Sequence, residues 1–273
     1  MPATIQEKLS WVPLKIDLRY EDVDFGIGTA FIYSMNNETF LITNYHNVTG
    51  RRPDTLKAIS PDVALPNKLV LHVPTDANTD TVLPSNESKV RWKALILDLY
   101  EDDKPVWFEH PEHGHNVDAV AIPIGIDGCM LQAANSEELE LEQITLRPSL
   151  DVFVLGYPRG LSGGAKFPIW KRGSIASEPD IDLDKLPKFY IDTATREGMS
   201  GSPVYAQHNG YCVPEGCTGL QDALFGEARR FVGIYSGRVG ADDFQAQLGI
   251  VWKESAIQEI ILGKYIGKSS FEI

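Results

Sequence analysis

Cysteine is scarce and odd in number: three in 273 residues. Cys129 stands alone, while Cys212 and Cys217 lie close enough for a loop clip but cannot build a framework. Secreted domains commonly carry several bridges, so this shortage favours a reducing compartment. Also missing is any run of about 18 apolar residues, the length a membrane helix needs. The opening segment Met1-Pro2-Ala3-Thr4-Ile5-Gln6-Glu7 lacks the basic stretch and apolar core of a secretory signal. Together these absences lead us to expect a cytoplasmic protein. Positive charge is in short supply as well, with 25 Lys and Arg against 38 Asp and Glu, a net charge of −13. Such a balance repels nucleic acid and anionic membrane surfaces, so neither is an expected partner.

What is present is enough apolar material for a large core, 43% of the chain, which sets disorder aside. Short β-branched and aromatic runs dominate. Residues 28–33 and 39–43 flank the turn-forming Met35-Asn36-Asn37-Glu38 and read as a hairpin. Further strands are expected at 68–73, 89–99, 119–124, 151–156, 167–175, 189–193, 204–206 and 231–236. Regular short strands with turns between them point to an all-β barrel or sandwich. Residues 74–87 are polar and turn-rich, a surface loop, and 136–143 read as a link between two halves. Ile257, Ile260, Ile261 and Tyr265 recur at helical spacing, predicting an amphipathic helix over 253–266.

Three segments carry chemistry-bearing residues. Leu41-Ile42-Thr43-Asn44-Tyr45-His46 is a strand ending in a histidine. Val117-Asp118-Ala119-Val120 is an aspartate opening a buried strand. Gly198-Met199-Ser200-Gly201-Ser202-Pro203 is a serine in a glycine-rich turn. A serine hydroxyl needs a base to become a nucleophile. An imidazole, with an ordinary pKa of about 6.5, can take and return that proton. A carboxylate such as Asp118 fixes the imidazole tautomer and steadies the imidazolium. The glycines let the N–H groups of Gly198 and Ser200 converge as an oxyanion hole. Read singly, each residue has a plainer explanation: a structural histidine, a capping aspartate, a Gly-Ser turn. Their joint local settings and the order His, Asp, Ser favour the catalytic reading.

These segments resemble those of the trypsin-like, chymotrypsin-fold serine peptidases, most closely the bacterial branch that includes the high-temperature-requirement proteases. Gly26-Ile27-Gly28-Thr29-Ala30-Phe31 is similar to that branch's opening strand, and Thr43-Asn44-Tyr45-His46 to its Thr-Asn-x-His segment. Asp118-Ala119-Val120-Ala121 resembles its aspartate box, and Gly198-Met199-Ser200-Gly201-Ser202-Pro203 its Gly-Asn-Ser-Gly-Gly-Pro. Val154-Leu155-Gly156-Tyr157-Pro158 is similar to the strand end opening the second barrel. The resemblance spans about residues 25–265 and implies a bacterial protein of two antiparallel six-stranded β-barrels with a C-terminal α-helix. The barrels would occupy 1–135, carrying His46 and Asp118, and 136–250, carrying Ser200; 251–273 would be helix and tail.

The same resemblance implies an endopeptidase acting on protein or peptide in extended conformation, with no cofactor. Residues 232–237 would be the strand that pairs with substrate. Ala194, Thr195, Glu197, Tyr235, Ser236, Gly237 and Arg238 would line the site for the residue before the cut. Ala194 stands where trypsins place an acidic group, so a small or medium apolar residue is expected there rather than Lys or Arg. Met199 replaces the aspartate that pairs with a newly cut N-terminus in secreted trypsins, so no such activation step is expected. No PDZ-like module is expected after the helix.

Two other classes compete: a catalytically silent or gated protease-like module that binds a partner, and an esterase using the same residues. His110, His113 and His115 invite a metal reading, but Pro111 and Gly114 make this a loop rather than a preorganised helix, and no metal is expected. Gly26-x-Gly28 has no helix after it to hold a phosphate. Asn47-Val48-Thr49 and Asn86-Glu87-Ser88 match a glycosylation pattern and are read as chance matches.

Overall fold

The structure is a computed structural model and describes residues 7–60, 64–75, 90–212, 214–217, 223–239 and 248–272. Leu14, Ile16 and Leu18 alternate with Lys15, Asp17 and Arg19, and this period of two forms β1 (Pro13–Tyr20) with its apolar face buried. β1 pairs with β2 (Val23–Met35), which returns as β3 (Glu38–Thr43). The turn between them places Asn36 and Asn37 at φ 53° and 62°, the two left-handed residues a type I′ hairpin turn needs. On the other edge of β1 lie β4 (Lys68–Thr75) and β5 (Arg91–Asp98). A small ribbon of β6 (Tyr100–Glu101) and β7 (Lys104–Pro105) follows. Next come β8 (Phe108–Glu109) and β9 (Val120–Pro123), and β9 pairs with β3.

In the second half, β10 (Asp151–Gly156), β11 (Ile169–Ile175), β12 (Lys188–Asp192), β13 (Pro203–Cys212), β14 (Leu224–Arg238) and β15 (Leu248–Lys253) form a closed barrel, in the order β10-β11-β12-β15-β14-β13. Closure leaves no unpaired edge. The protein is thus mostly β, with one longer helix near its C-terminus. The expectation of two six-stranded barrels is met in this half alone. The first half is an eight-stranded sheet ordered β16-β8-β9-β3-β2-β1-β4-β5, where β16 is Tyr265–Ile266. Its terminal strands β5 and β16 do not pair among the described residues, because the returning tail takes the edge of β8.

The chain reaches the second half through a one-turn 3-10 helix, Glu137–Leu139. α2 (Glu254–Gly263) buries Ala256, Ile257, Ile260 and Ile261. It packs into a core with Phe31 and Tyr33 of β2 and Phe231 and Ile234 of β14, so one apolar cluster belongs to both halves. The helix predicted over 253–266 is shorter than its pattern. Lys264 turns left-handed at φ 51° and donates to the Ile260 carbonyl, ending the helix. Tyr265 leaves the apolar face altogether and is 60% exposed in β16. Of the predicted loop at 74–87, Pro74 and Thr75 belong to β4 and the rest lies outside the described residues, as does Asn86. Cys129 and Cys217 are free thiols. Among the described residues no helix is long and apolar enough to cross a membrane.

Candidate active site

β3 delivers the chain to Asn44, whose extended backbone (φ −78°, ψ 150°) opens α1 (Tyr45–Thr49). The short helix ends at Gly50, left-handed at φ 67°, with its N–H on the His46 carbonyl. His46 is bound twice by one carboxylate: its backbone N–H donates to Asp118 Oδ1 at 3.1 Å, and its Nδ1 lies 2.7 Å from Oδ2. The Asp118 side chain is only 5% exposed, and Asn44 Nδ2 donates to its carbonyl at 2.5 Å. A carboxylate accepts hydrogen bonds, so Nδ1 carries a proton, and in the neutral ring the lone pair is then on Nε2.

Ser200 sits in a turn that only glycine permits. Gly198 and Gly201 have φ of 86° and 90°. A Cβ on Gly201 would stand 1.8 Å from the Thr29 carbonyl oxygen, and one on Gly198 would stand 2.4 Å from that of Tyr157. Successive carbonyls of the turn are each held by a different donor. Glu197 accepts from the Arg159 N–H at 2.6 Å, Met199 from the Ser202 N–H at 3.0 Å and Gly198 from the Thr29 hydroxyl at 2.8 Å. The Ser200 carbonyl accepts from the Thr29 N–H at 2.8 Å and from Asn47 Nδ2 at 3.2 Å. Across a trans peptide the N–H points opposite to the C=O. Fixing the carbonyls of Glu197 and Met199 therefore fixes the N–H groups of Gly198 and Ser200. Neither N–H has an acceptor among the described residues. The Ser200 hydroxyl lies 3.5 Å from the Ser236 carbonyl of β14. Ser200, His46 and Gly198 open onto one cavity of about 940 Å³.

The residues expected to line the site before the cut divide in two. Ala194 and Glu197 are exposed, and Ser236, Gly237 and Arg238 are half-buried. Thr195 and Tyr235 are each 1% exposed and their hydroxyls hydrogen-bond to one another. Burial holds the Tyr235 phenol up at about 12, so it stays protonated. The three histidines of the loop before Asp118 do not converge. His110 Nε2 bonds Glu259 at 2.8 Å, His113 stacks on His110, and His115 Nδ1 donates to the Pro53 carbonyl. Among the described residues no cluster of metal-ligating side chains exists. Asn47 is 2% exposed with its amide engaged by Thr43 and Ser200, which leaves no room for a glycan.

Thr29, Asn47 and Arg159 carry no sequence signature that marks them as parts of the site. Thr29 and Asn47 occur within the motifs already quoted; Arg159 acts through its backbone N–H, which no residue pattern reveals.

A family model described as a trypsin-like peptidase domain matches residues 28–213, the span holding His46, Asp118 and Ser200. The chain belongs to the trypsin-like peptidases. That membership supports a serine peptidase function. This trypsin-like peptidase aligns with an HtrA-type protease solved with a tripeptide: identity is 12%, TM-score 0.48, and the alignment covers 93% of this chain and 60% of the other. A serine endoprotease from Yersinia pestis is 10% identical, with TM-score 0.49 and coverage of 95% and 66%. A protease from M. tuberculosis in its active form is 17% identical, with TM-score 0.45 and coverage of 96% and 86%. The trypsin-like peptidase thus spans 60% of the length of the HtrA-type protease it matches. No curated protein matches it.

Proposed function

We propose that the protein is a serine endopeptidase in which Ser200 is the nucleophile, His46 the general base and Asp118 the group that orients the imidazole. The carrying observation is that a carboxylate-bound His46 lines one cavity with Ser200 and Gly198. In the reaction, Ser200 Oγ attacks the carbonyl carbon of the scissile peptide while His46 Nε2 takes the hydroxyl proton. The oxyanion that forms is bound by the N–H groups of Gly198 and Ser200, each worth about 100- to 1000-fold in rate. His46 returns the proton to the leaving amine, giving an acyl-enzyme. Water, deprotonated by His46, then attacks the ester, and His46 returns that proton to Ser200 Oγ as the acid departs. No cofactor takes part in these steps. The substrate chain is extended and pairs with the end of β14 at Ser236, Gly237 and Arg238. With Thr195 and Tyr235 closed on each other, a small apolar side chain suits the position before the cut, between Ala194 and Glu197.

One observation favours a gated variant of this reading. The Ser200 hydroxyl points its proton at the Ser236 carbonyl at 3.5 Å, so that contact must be given up before the imidazole can receive the proton, and substrate pairing with β14 competes for the same carbonyl. A fluorophosphonate probe tests both readings. Covalent labelling of the wild type and none of Ser200→Ala supports the peptidase, together with a loss of kcat on the order of 10⁴-fold or more on peptide substrates. Absence of labelling in the wild type, with or without added peptide, supports a silent binding module. Labelling with ester but no peptide turnover supports the esterase.

A further inference from the structure

The cavity on which Ser200 opens has an unassigned part. Its walls include Leu18, Phe25 and Ile27 of β1 and β2 together with Ile59, Ala64, Arg159 and Glu197. None of the lining residues comes from 193–195 or from β14 and β15. The substrate segment before the cut is proposed to lie along β14, so this volume lies beyond Ser200 on the leaving-group side.

Its exposed lining is mixed, with Ile27 and Ile59 beside the charged Asp24, Arg159 and Glu197. Ile27 and Ile59 are 39% and 46% exposed and supply the aliphatic part of that surface. Phe25 is half-buried and packs on the core of the first half. The charged groups in the wall at β1 and β2 are already engaged. Lys15 Nζ lies 2.9 Å and His72 Nε2 2.6 Å from the Asp17 carboxylate, and Arg19 Nε lies 2.6 Å from Asp24. Burial pushes Asp17 up, but His72 and Lys15 outweigh it and hold the carboxyl below its ordinary value. Asp17 is therefore ionised and spent, and it offers little to a cationic substrate.

We propose that this cavity is a specificity site for a bulky apolar side chain, such as Leu, Phe or Met, within the first two residues after the scissile bond. The proposal rests on the peptidase reading above. Side chains of this kind bury against Ile27, Phe25 and Ile59 when the substrate binds and are released with the leaving peptide. A glycine there leaves the two isoleucines wet.

The test uses the full chain and quenched fluorescent peptides identical up to the cut and differing only after it, with Leu, Phe, Gly or Asp in the first two positions. We expect kcat/KM for the Leu and Phe peptides to exceed that for the Gly peptide by about 10- to 100-fold. In the double variant Ile27→Ser, Ile59→Ser the Leu-to-Gly ratio falls toward unity. Being a ratio, it is insensitive to a partial loss of folded enzyme. Equal rates for Leu and Gly peptides in a wild type that labels with fluorophosphonate overturn the specificity site alone, as does an unchanged ratio in the double variant. No Ser200-dependent labelling overturns the peptidase reading and this site with it.

Discussion

At the scale of single residues, Thr29 does more than its place in a strand requires. It is fully buried. Its N–H holds the Ser200 carbonyl, its hydroxyl donates to the Gly198 carbonyl at 2.8 Å and accepts from the Tyr157 N–H at 3.3 Å. Thr29→Val keeps shape and volume but strands both backbone partners, and a buried unsatisfied polar group costs about 1–3 kcal/mol. We expect kcat to fall about tenfold or more with KM nearly unchanged, and Thr29→Ser, which keeps the hydroxyl, to recover most of the rate. Equal kinetics for the Val and Ser variants would show that the hydroxyl does not position the turn. The meeting of residues 46 and 118 was legible because each sits in a short motif with a preferred local shape. The part played by Thr29 was not: a threonine in a strand has the same composition whether its hydroxyl meets solvent or a turn 169 positions away.

Among elements, strands were readable where one face is buried and obscure where neither is. The hairpin of β2 and β3 and the strand β10 follow directly from their apolar runs. β13 and β14 were seen only at 204–206 and 231–236, yet they extend as a ribbon in which Gln207 faces Arg229 and Asn209 faces Glu227. A solvated ribbon leaves no alternation to detect. β1 lies outside the expected strands although Leu14, Ile16 and Leu18 alternate clearly.

The tail is another element without a sequence signature. β16 pairs with β8, Gly267 N–H donates to Trp107, Ser270 Oγ bonds Tyr100 at 2.6 Å, and the Ser270 carbonyl accepts from Arg51 Nε at 2.9 Å. Arg51 directly follows the cap of α1, so the tail braces the helix carrying His46. Deleting residues 265–272 should lower Tm by about 5–10 °C, at roughly 2–4 °C per kcal/mol, and should reduce peptide turnover by more than the loss of folded protein explains. Differential scanning calorimetry and active-site titration separate the two effects. An unchanged Tm would show that the strap contributes nothing.

For the molecule as a whole, stability depends on α2 remaining in the groove shared by the two halves. His110 is buried beneath that helix and bonds Glu259, with His113 and Glu112 also nearby. Burial, the largest influence, keeps its imidazole below the ordinary value despite the pull of Glu259. A depressed histidine is neutral in both states at high pH. As pH falls through about 6.5 the unfolded chain takes up the proton first, so stability is lost toward acid. We expect the urea midpoint to fall between pH 7 and pH 5, and to fall less in His110→Gln. Parallel slopes for the two proteins would remove His110 as the cause.

The all-β class and the terminal helix could be read from the sequence. The eight-stranded first sheet could not, because its outermost strand comes from residues 265–266, far from the rest in the chain. That arrangement matters during synthesis. A ribosome that has released residues 13–123 has released every other strand of the first sheet, but the edge of β8 and the support behind Arg51 are still missing. Residues 46 and 118 thus leave the ribosome well before the strand that braces α1, and we expect their contact to be held less firmly in a nascent chain that has not yet reached residue 265.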